Sequence, residues 1–372
     1  MLARRAPVRS LPIVPEGHLR IGGPLRIPEV LLRLGVDPGE LLASVGLDAS
    51  IFSDPDTPLP CTALGRLVSA CVARTTCRHF GLLVGAKGGP SSLGLVGLLI
   101  RQAPDVGTAL RQAALYLHLH DRGAVVVLSS QDGVARIAYA IYAPGVESSE
   151  QIGEGAIAIT CNVIRSLCGA DWAPTAVLLA SHHPADVRPY RRFYRAPVRF
   201  DAPHNALVFP MKWRAQPLPV IDPSLHHQLQ DEVRYLDAIH RMSFAAKMRR
   251  TLRAAFTGGA CSVVDAAGIY SLSRRTLSRR LRAEGTTFEA LLEEVRYEVA
   301  CQLLGHTDLL VRDVADALDY ADDAAFTPAF RRWSGTTPAR WRAASATARQ
   351  WPGRARPDVS RHAIETPVRT GS

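Results

Sequence analysis

The chain is poor in aromatic side chains, 6% of 372 residues, and has no long apolar run. Its longest apolar stretch, at 92–100, is interrupted by glycines and falls well short of the roughly 18 residues a membrane-spanning helix needs. No leader pattern is visible at the start, because Met1 to Arg20 is basic and broken by prolines. A cytoplasmic protein without membrane association is expected. Seven cysteines, odd in number and scattered without a C-x-x-C pair, argue against a disulfide framework or a zinc finger and for thiols in a reducing compartment. Cys161 and Cys168 are spaced to share one buried helical face. G-x-S-x-G, H-E-x-x-H, a phosphate loop and a dinucleotide fingerprint are all missing, so no catalytic residue and no cofactor is expected. The adjacent His182 and His183 have no carboxylate or third ligand at useful spacing, and no metal site is expected.

What is present is globular: 47% hydrophobic and 21% charged residues, with length for two domains. The net charge of +10 comes almost entirely from arginine, the forked, weakly hydrated cation suited to phosphates and base edges. Residues 1–20 read as a flexible basic arm, and 21–222 as an α+β domain. Helical stretches lead at 30–34, 41–45, 63–72, 93–100 and 106–117, followed by a β-β-α-β-α-β-β order. Its first hairpin spans 123–141, with a second expected from 198–200 and 206–209 around Asp-Ala-Pro-His-Asn. A linker helix is expected within 223–242, an all-helical domain over 243–342, and a disordered basic tail over 343–372.

The helical domain carries the chemistry. Val263–Ala267 reads as a short helix, Gly268 as a turn, and Ser273 as the N-cap of a helix from Arg274 to Glu284 closed by Gly285. On a helical wheel Leu277 and Leu281 point to a core, while Arg275, Ser278, Arg279 and Arg282 lie opposite and Arg274 and Arg280 flank them. An arginine-rich face is more often merely solvated, but the pattern recurs. Leu310–Tyr320 repeats the first short helix, and Asp322 caps a second with Phe326, Phe330 and Trp333 inward and Thr327, Arg331 and Arg332 as candidate contacts. Thr287–Leu304 forms the spacer. Two helix-turn-helix units on one spacer are built to enter a DNA duplex.

The residues Ser273, Arg275-Thr276-Leu277, Arg279-Arg280-Leu281, Glu284-Gly285, Phe288, Arg296, Leu303-Leu304, Ala315, Tyr320, Phe326, Ala329 to Trp333, Gly335, Pro338 and Arg342 closely resemble the AraC/XylS-type transcriptional regulators. The resemblance implies two units reading adjacent major-groove segments of promoter DNA, with Arg275, Ser278 and Arg279 facing bases. It also implies RNA polymerase as a partner. Two positions depart from the pattern: Asp319 replaces the usual turn glycine, and Pro328 replaces a polar or basic contact residue in the second recognition helix. The second unit is therefore expected to be structural or a weak reader, leaning on phosphate contacts from Arg331 and Arg332.

Over 28–225, Leu31 to Pro38, Phe80 to Gly85, Leu93 to Leu99, Thr108 to Arg111, Asp171 to Pro174 and Val198 to Ala202 resemble the effector or dimerisation domain of the branch with ornithine- and arginine-utilisation regulators. This implies a small-molecule effector and a homodimer. Tyr116, His118 and His120, with Asp121, sit where helix gives way to strand and are the candidate effector contacts, although a capped helix end with surface histidines is the commoner reading of such a cluster. Arg188, Arg191, Arg192 and Arg195 read as a solvated basic face. The expectation is an effector-responsive transcription activator. The alternative is a sensor working through protein contacts, its DNA module weakened by Pro328 and Asp319.

Overall fold

The computed structural model describes residues 13–131, 133–143, 145–202, 204–219, 222–239, 243–258, 273–307 and 309–350. The expected helix at 263–267 and its Gly268 turn lie outside the described residues, as do residues 1–12 of the arm and 351–372 of the tail. Two expectations at the ends need correcting. His18–Arg20 is not arm but strand β1, paired antiparallel with β2 (Pro58–Pro60), because Val14, Leu19 and Arg20 are buried. The last described helix runs on through 343–350.

The helical front comprises α1 (Ile27–Arg33), α2 (Pro38–Ser44), α3 (Cys61–Thr75), α4 (Phe80–Gly85), α5 (Gly94–Arg101) and α6 (Val106–Tyr116). Asp37 and Asp105 cap α2 and α6, their carboxylates accepting from the N–H groups of Glu40 and Thr108. Strands β3 (Ala124–Gln131) and β4 (Val134–Ile141) form the expected hairpin, with Gln131 opposite Val134 and Gly133 at φ +77° closing it. Helix α7 (Ser149–Cys168) carries Cys161 and Cys168 inward, and β5 (Ala176–Leu178), α8 (Arg188–Tyr194), β6 (Val198–Arg199) and β7 (Asn205–Pro210) complete the domain.

The second hairpin does not form. The sheet order is β3-β4-β7-β5-β6, so β7 inserts between β4 and β5, and β6 pairs parallel with β5 on the edge. The physical reason is burial. Ala206, Leu207 and Phe209 are buried together, a central-strand pattern, whereas Arg199 on β6 is exposed.

Helix α9 (Pro223–Ile239) is more than a linker, since Leu229 and Val233 belong to the first domain's core. The C-terminal bundle follows as α10 (Phe244–Gly258), α11 (Arg274–Ala283), α12 (Phe288–His306), α13 (Val311–Ala317), α14 (Asp323–Ser334) and α15 (Pro338–Gln350). Ala245, Met248, Leu252 and Phe256 turn one face of α10 into this core. Arg249 and Arg253, one turn apart, bond Glu294 and Glu298 of α12 at 2.9 and 2.8 Å.

Asp319, at φ +61°, makes the left-handed turn between α13 and α14. Arg296 clamps that turn, donating to the Leu318 carbonyl at 3.0 Å and pairing with the Asp319 carboxylate at 3.6 Å. A β-branched residue is far less tolerant of this conformation than Asp. Asp319→Val should cost about 1–2 kcal/mol, read as a lowered denaturation midpoint by circular dichroism, while Asp319→Gly should leave the midpoint equal or higher.

Candidate nucleic-acid interface and effector cavity

Ser273 starts α11 by accepting the Thr276 N–H at 3.3 Å, and Gly285 at φ +74° stops it. Leu277 and Leu281 are fully buried in the bundle core. Arg274, Arg275, Arg279, Arg280 and Arg282 are all exposed, with Ser278 half-buried among them. None of these five guanidinium groups has a carboxylate partner among the described residues; Arg280 rests over the Phe244 ring at 5.6 Å. Just beyond the helix, Glu284 accepts the N–H groups of Phe244 and Ala245 at 2.8 and 2.7 Å, tying α11 to the start of α10. Those bonds hold its carboxyl below the usual range. Five unneutralised cations on a helix anchored from behind form a surface suited to DNA phosphates and guanine edges.

The second recognition helix, α14, is different. Asp322 caps it through the Ala325 N–H at 2.7 Å, and exposed Asp322 and Asp323 make its start acidic. Pro328 lies in the exposed part of a helix that continues unbroken to Ser334. Lacking an N–H, it leaves the Ala324 carbonyl without its helical donor. Arg332 pairs with Glu293 of α12 at 2.5 Å, Arg331 is exposed, and Thr327 is half-buried. Phe326, Phe330, Trp333 and Tyr320 pack behind it with Tyr297 and Trp341.

In the first domain a cavity of about 120 Å³ lies where the helical front meets the sheet and α7. Of the sequence candidates, His120 and Asp121 line it; Tyr116, half-buried, and His118 do not. His118 is buried and faces α9, its Nε2 at 2.8 Å from the Asp237 carboxylate. Asp237 in turn pairs with Lys247 of α10 at 3.4 Å, and its bond to His118 is the main reason its carboxyl is held down at about 2. Asp121 accepts the Gly123 N–H and the Tyr139 hydroxyl, each at 2.8 Å. Helices α4 and α7 meet here so closely that a Cβ on Gly81 would lie 1.9 Å from the Gln151 carbonyl oxygen.

Residues 35–218 match the family model described as the arabinose-binding domain of AraC transcription regulator, and 266–344 match a helix-turn-helix domain model. The chain belongs to the AraC family. It is a DNA-binding transcription regulator with a small-molecule-responsive front domain, as the two matched models together require. This AraC-family chain is 26% identical over 321 residues to the HTH-type transcriptional regulator VirS of Mycobacterium tuberculosis, covering 85% of this chain and 93% of that one. It is 25% identical over 326 residues to the ornithine utilization regulator of Pseudomonas aeruginosa, covering 86% and 96%. Among solved structures, the transcriptional regulator CdpR from Pseudomonas aeruginosa aligns over 86% of this chain and 96% of its own, at 20% identity and a TM-score of 0.43.

Several residues of this AraC-family site gave no signal in the sequence. Arg20, placed in the arm, is buried against the cavity segment and donates to the Leu119 and Asp56 carbonyls at 2.9 and 3.0 Å. Tyr139 and Gln151 line the cavity from β4 and α7 but read in sequence only as parts of a strand and a helix. His182 bonds Asp201 at 2.7 Å, and no group of three or more ligating side chains is found among the described residues. In the basic helix α8, Arg188 pairs with Asp186 and Arg195, at its C-cap, donates to the Trp172 carbonyl, both at 2.9 Å. No helix of the described residues is long and apolar enough to cross a membrane.

Burial, reinforced by the Arg20 charge, holds the His120 imidazole down at about 4, against an ordinary value of 6.5. Between those values the unfolded chain binds the proton and the folded one does not, so acidification destabilises the fold. Stability is complete above pH 6.5 and falls toward pH 4, by about 3 kcal/mol for this one group. His204, held at about 3 mainly by burial, acts in the same direction. Thermal melts at pH 7 and pH 4 should show a large drop for the wild type and a smaller one for His120→Asn.

Proposed function

We propose that this regulator is a cytoplasmic transcription activator that reads its promoter chiefly through α11, with α14 as a weak second reader. The observation that carries the reading is the contrast between the two recognition helices. Five exposed arginines without a carboxylate partner among the described residues stand on α11, whereas α14 opens with two aspartates, contains Pro328 and has one of its two arginines engaged by Glu293. An acidic helix start opposes phosphate, and the groove-entering end of a recognition helix is its N-terminal part. Arg275, Ser278 and Arg279 contact bases, and Arg274, Arg280 and Arg282 contact phosphates, with Thr327, Arg331 and Arg332 contributing weaker backbone contacts. RNA polymerase and a second copy of the chain are the protein partners the family resemblance supports.

The effector binds the front-domain cavity. Its signal has a short physical route to the DNA-binding bundle. The segment 117–121 lines the cavity, His118 in it grips Asp237, and Asp237 grips Lys247 at the start of α10. The same α10 packs on the sheet, with Arg253 over the Tyr142 ring at 4.0 Å.

On DNA recovered by in vitro selection with the whole chain, Arg279→Ala should cost about 1–3 kcal/mol and relax the preference at one base step. Arg280→Ala should weaken all sequences alike and reduce the salt slope by about one. Unchanged footprints and base preference in Arg279→Ala would remove α11 as the reader. The second reading, a sensor acting through protein contacts, is favoured by Pro328 and the acidic start of α14. It predicts negligible sequence preference in the wild type and a large gain in affinity for Pro328→Arg. The primary reading predicts clear preference before that change.

A further inference from the structure

The walls of the cavity are apolar, formed by Leu64, Val68 and Phe80 of the helical front, Val96 and Leu110 of α5 and α6, and Ile137 of β4. Most polar groups in the lining are already occupied. Asp121 and Tyr139 bond each other at 2.8 Å. Gln151 accepts the Gly81 N–H and donates to the Arg78 carbonyl, both at 2.9 Å. Thr160 donates to the Ala156 carbonyl at 2.8 Å. One group is left over: His120 lines the cavity and, among the described residues, its buried Nδ1 has no hydrogen-bond partner. A buried polar atom left unpaired in an otherwise satisfied pocket marks where a ligand's polar group belongs.

We propose that the effector is a small, neutral, largely apolar molecule whose single hydroxyl bonds His120, a proposal that rests on the reading of this cavity as the effector site. A hydroxyl both donates and accepts, so it satisfies either tautomer of a neutral imidazole. The size is that of about one small ring, since an engineered cavity of about 150 Å³ holds benzene and this one is about 120 Å³. A sugar brings several hydroxyls into walls that are mostly apolar and hold one unbonded side-chain group, so most of them lose more in water than they regain. A carboxylate meets Asp121 in the wall, and the nearby Arg20 is already engaged by Asp56 and by backbone carbonyls. An ammonium group must shed its water to reach the buried Asp121 carboxylate, whose oxygens already accept from the Gly123 N–H and the Tyr139 hydroxyl.

The test is calorimetric titration of the full chain with benzyl alcohol, toluene, benzoate, L-arabinose and L-ornithine, with promoter affinity measured in parallel. Benzyl alcohol should bind about five- to tenfold more tightly than toluene, the worth of one buried hydrogen bond, and the other three should not compete. His120→Leu should abolish that preference while keeping toluene binding. Ala113→Phe and Ala156→Leu, which fill the cavity from α6 and α7, should each abolish binding of both. These two variants keep the site testable should His120→Leu fail to fold. Equal binding of toluene and benzyl alcohol, competition by any of the three polar compounds, or binding that survives both filling variants overturns the ligand class. Failure of both apolar probes to bind overturns it too. Benzyl alcohol binding without any change in promoter affinity would keep the ligand class and remove the effector role. A polar compound that shifts promoter affinity in the filled variants would leave a sensor whose site lies elsewhere.

Discussion

The burial of Leu277 and Leu281 behind α11 is the contact on which the orientation of its arginine face depends. Two leucines one turn apart fix the rotation of a ten-residue helix, and every other residue on it then has a determined direction. Without that anchor, five like charges on a short helix would repel one another and find no preferred orientation. With it, they point to solvent together. Glu284 extends the constraint by capping α10 from the end of α11. The same α10 is held to α12 by two arginine–glutamate pairs. Helix α11, its neighbour α10 and the long spacer α12 are thus one mechanical unit.

The second unit keeps the packing of such a module and loses much of its charge. Its aromatic cluster is complete, and Arg296 secures the Asp319 turn by hydrogen bonds, an ion pair and a ring contact at 4.9 Å to Tyr320. A left-handed turn usually given to glycine is here stabilised by a side chain on the spacer helix. Pro328 sits on the exposed side, where water can reach the Ala324 carbonyl it leaves without a donor. Fold and surface charge are therefore separable within one unit: the apolar face sets the first, and the solvent face carries the second.

In the front domain, alternate residues of one short segment serve two neighbours. His120 looks into the cavity and His118 looks toward α9, so a shift that repositions one moves the other. Helix α9 contributes to the front domain's core through Leu229 and Val233, and its Asp237 contacts the first residues of the DNA-binding bundle. The front domain and the helical bundle are joined by packed elements rather than by a free linker, so residues 223–239 are not a simple spacer.

Periodicity in the sequence determined the order of the elements, the inward leucines and outward arginines of α11, the capping serine and the stopping glycine. These follow from local rules, the 3.6-residue repeat and the preferences of helix ends, which need no distant partner. The departures at Asp319 and Pro328 were legible for the same reason. Tertiary structure alone decided which strand lies beside which, because β7 chose β4 and β5 over its neighbour β6 to bury Leu207 and Phe209. It alone turned Arg20 from an arm into a buried strand, and separated His118 from His120 by sending them to opposite sides of one wall. It alone assembled the cavity, whose lining comes from residues more than a hundred positions apart. Hydrophobic burial is non-directional and acts between distant segments, so a single chain read in order shows which residues seek cover and not which others will provide it.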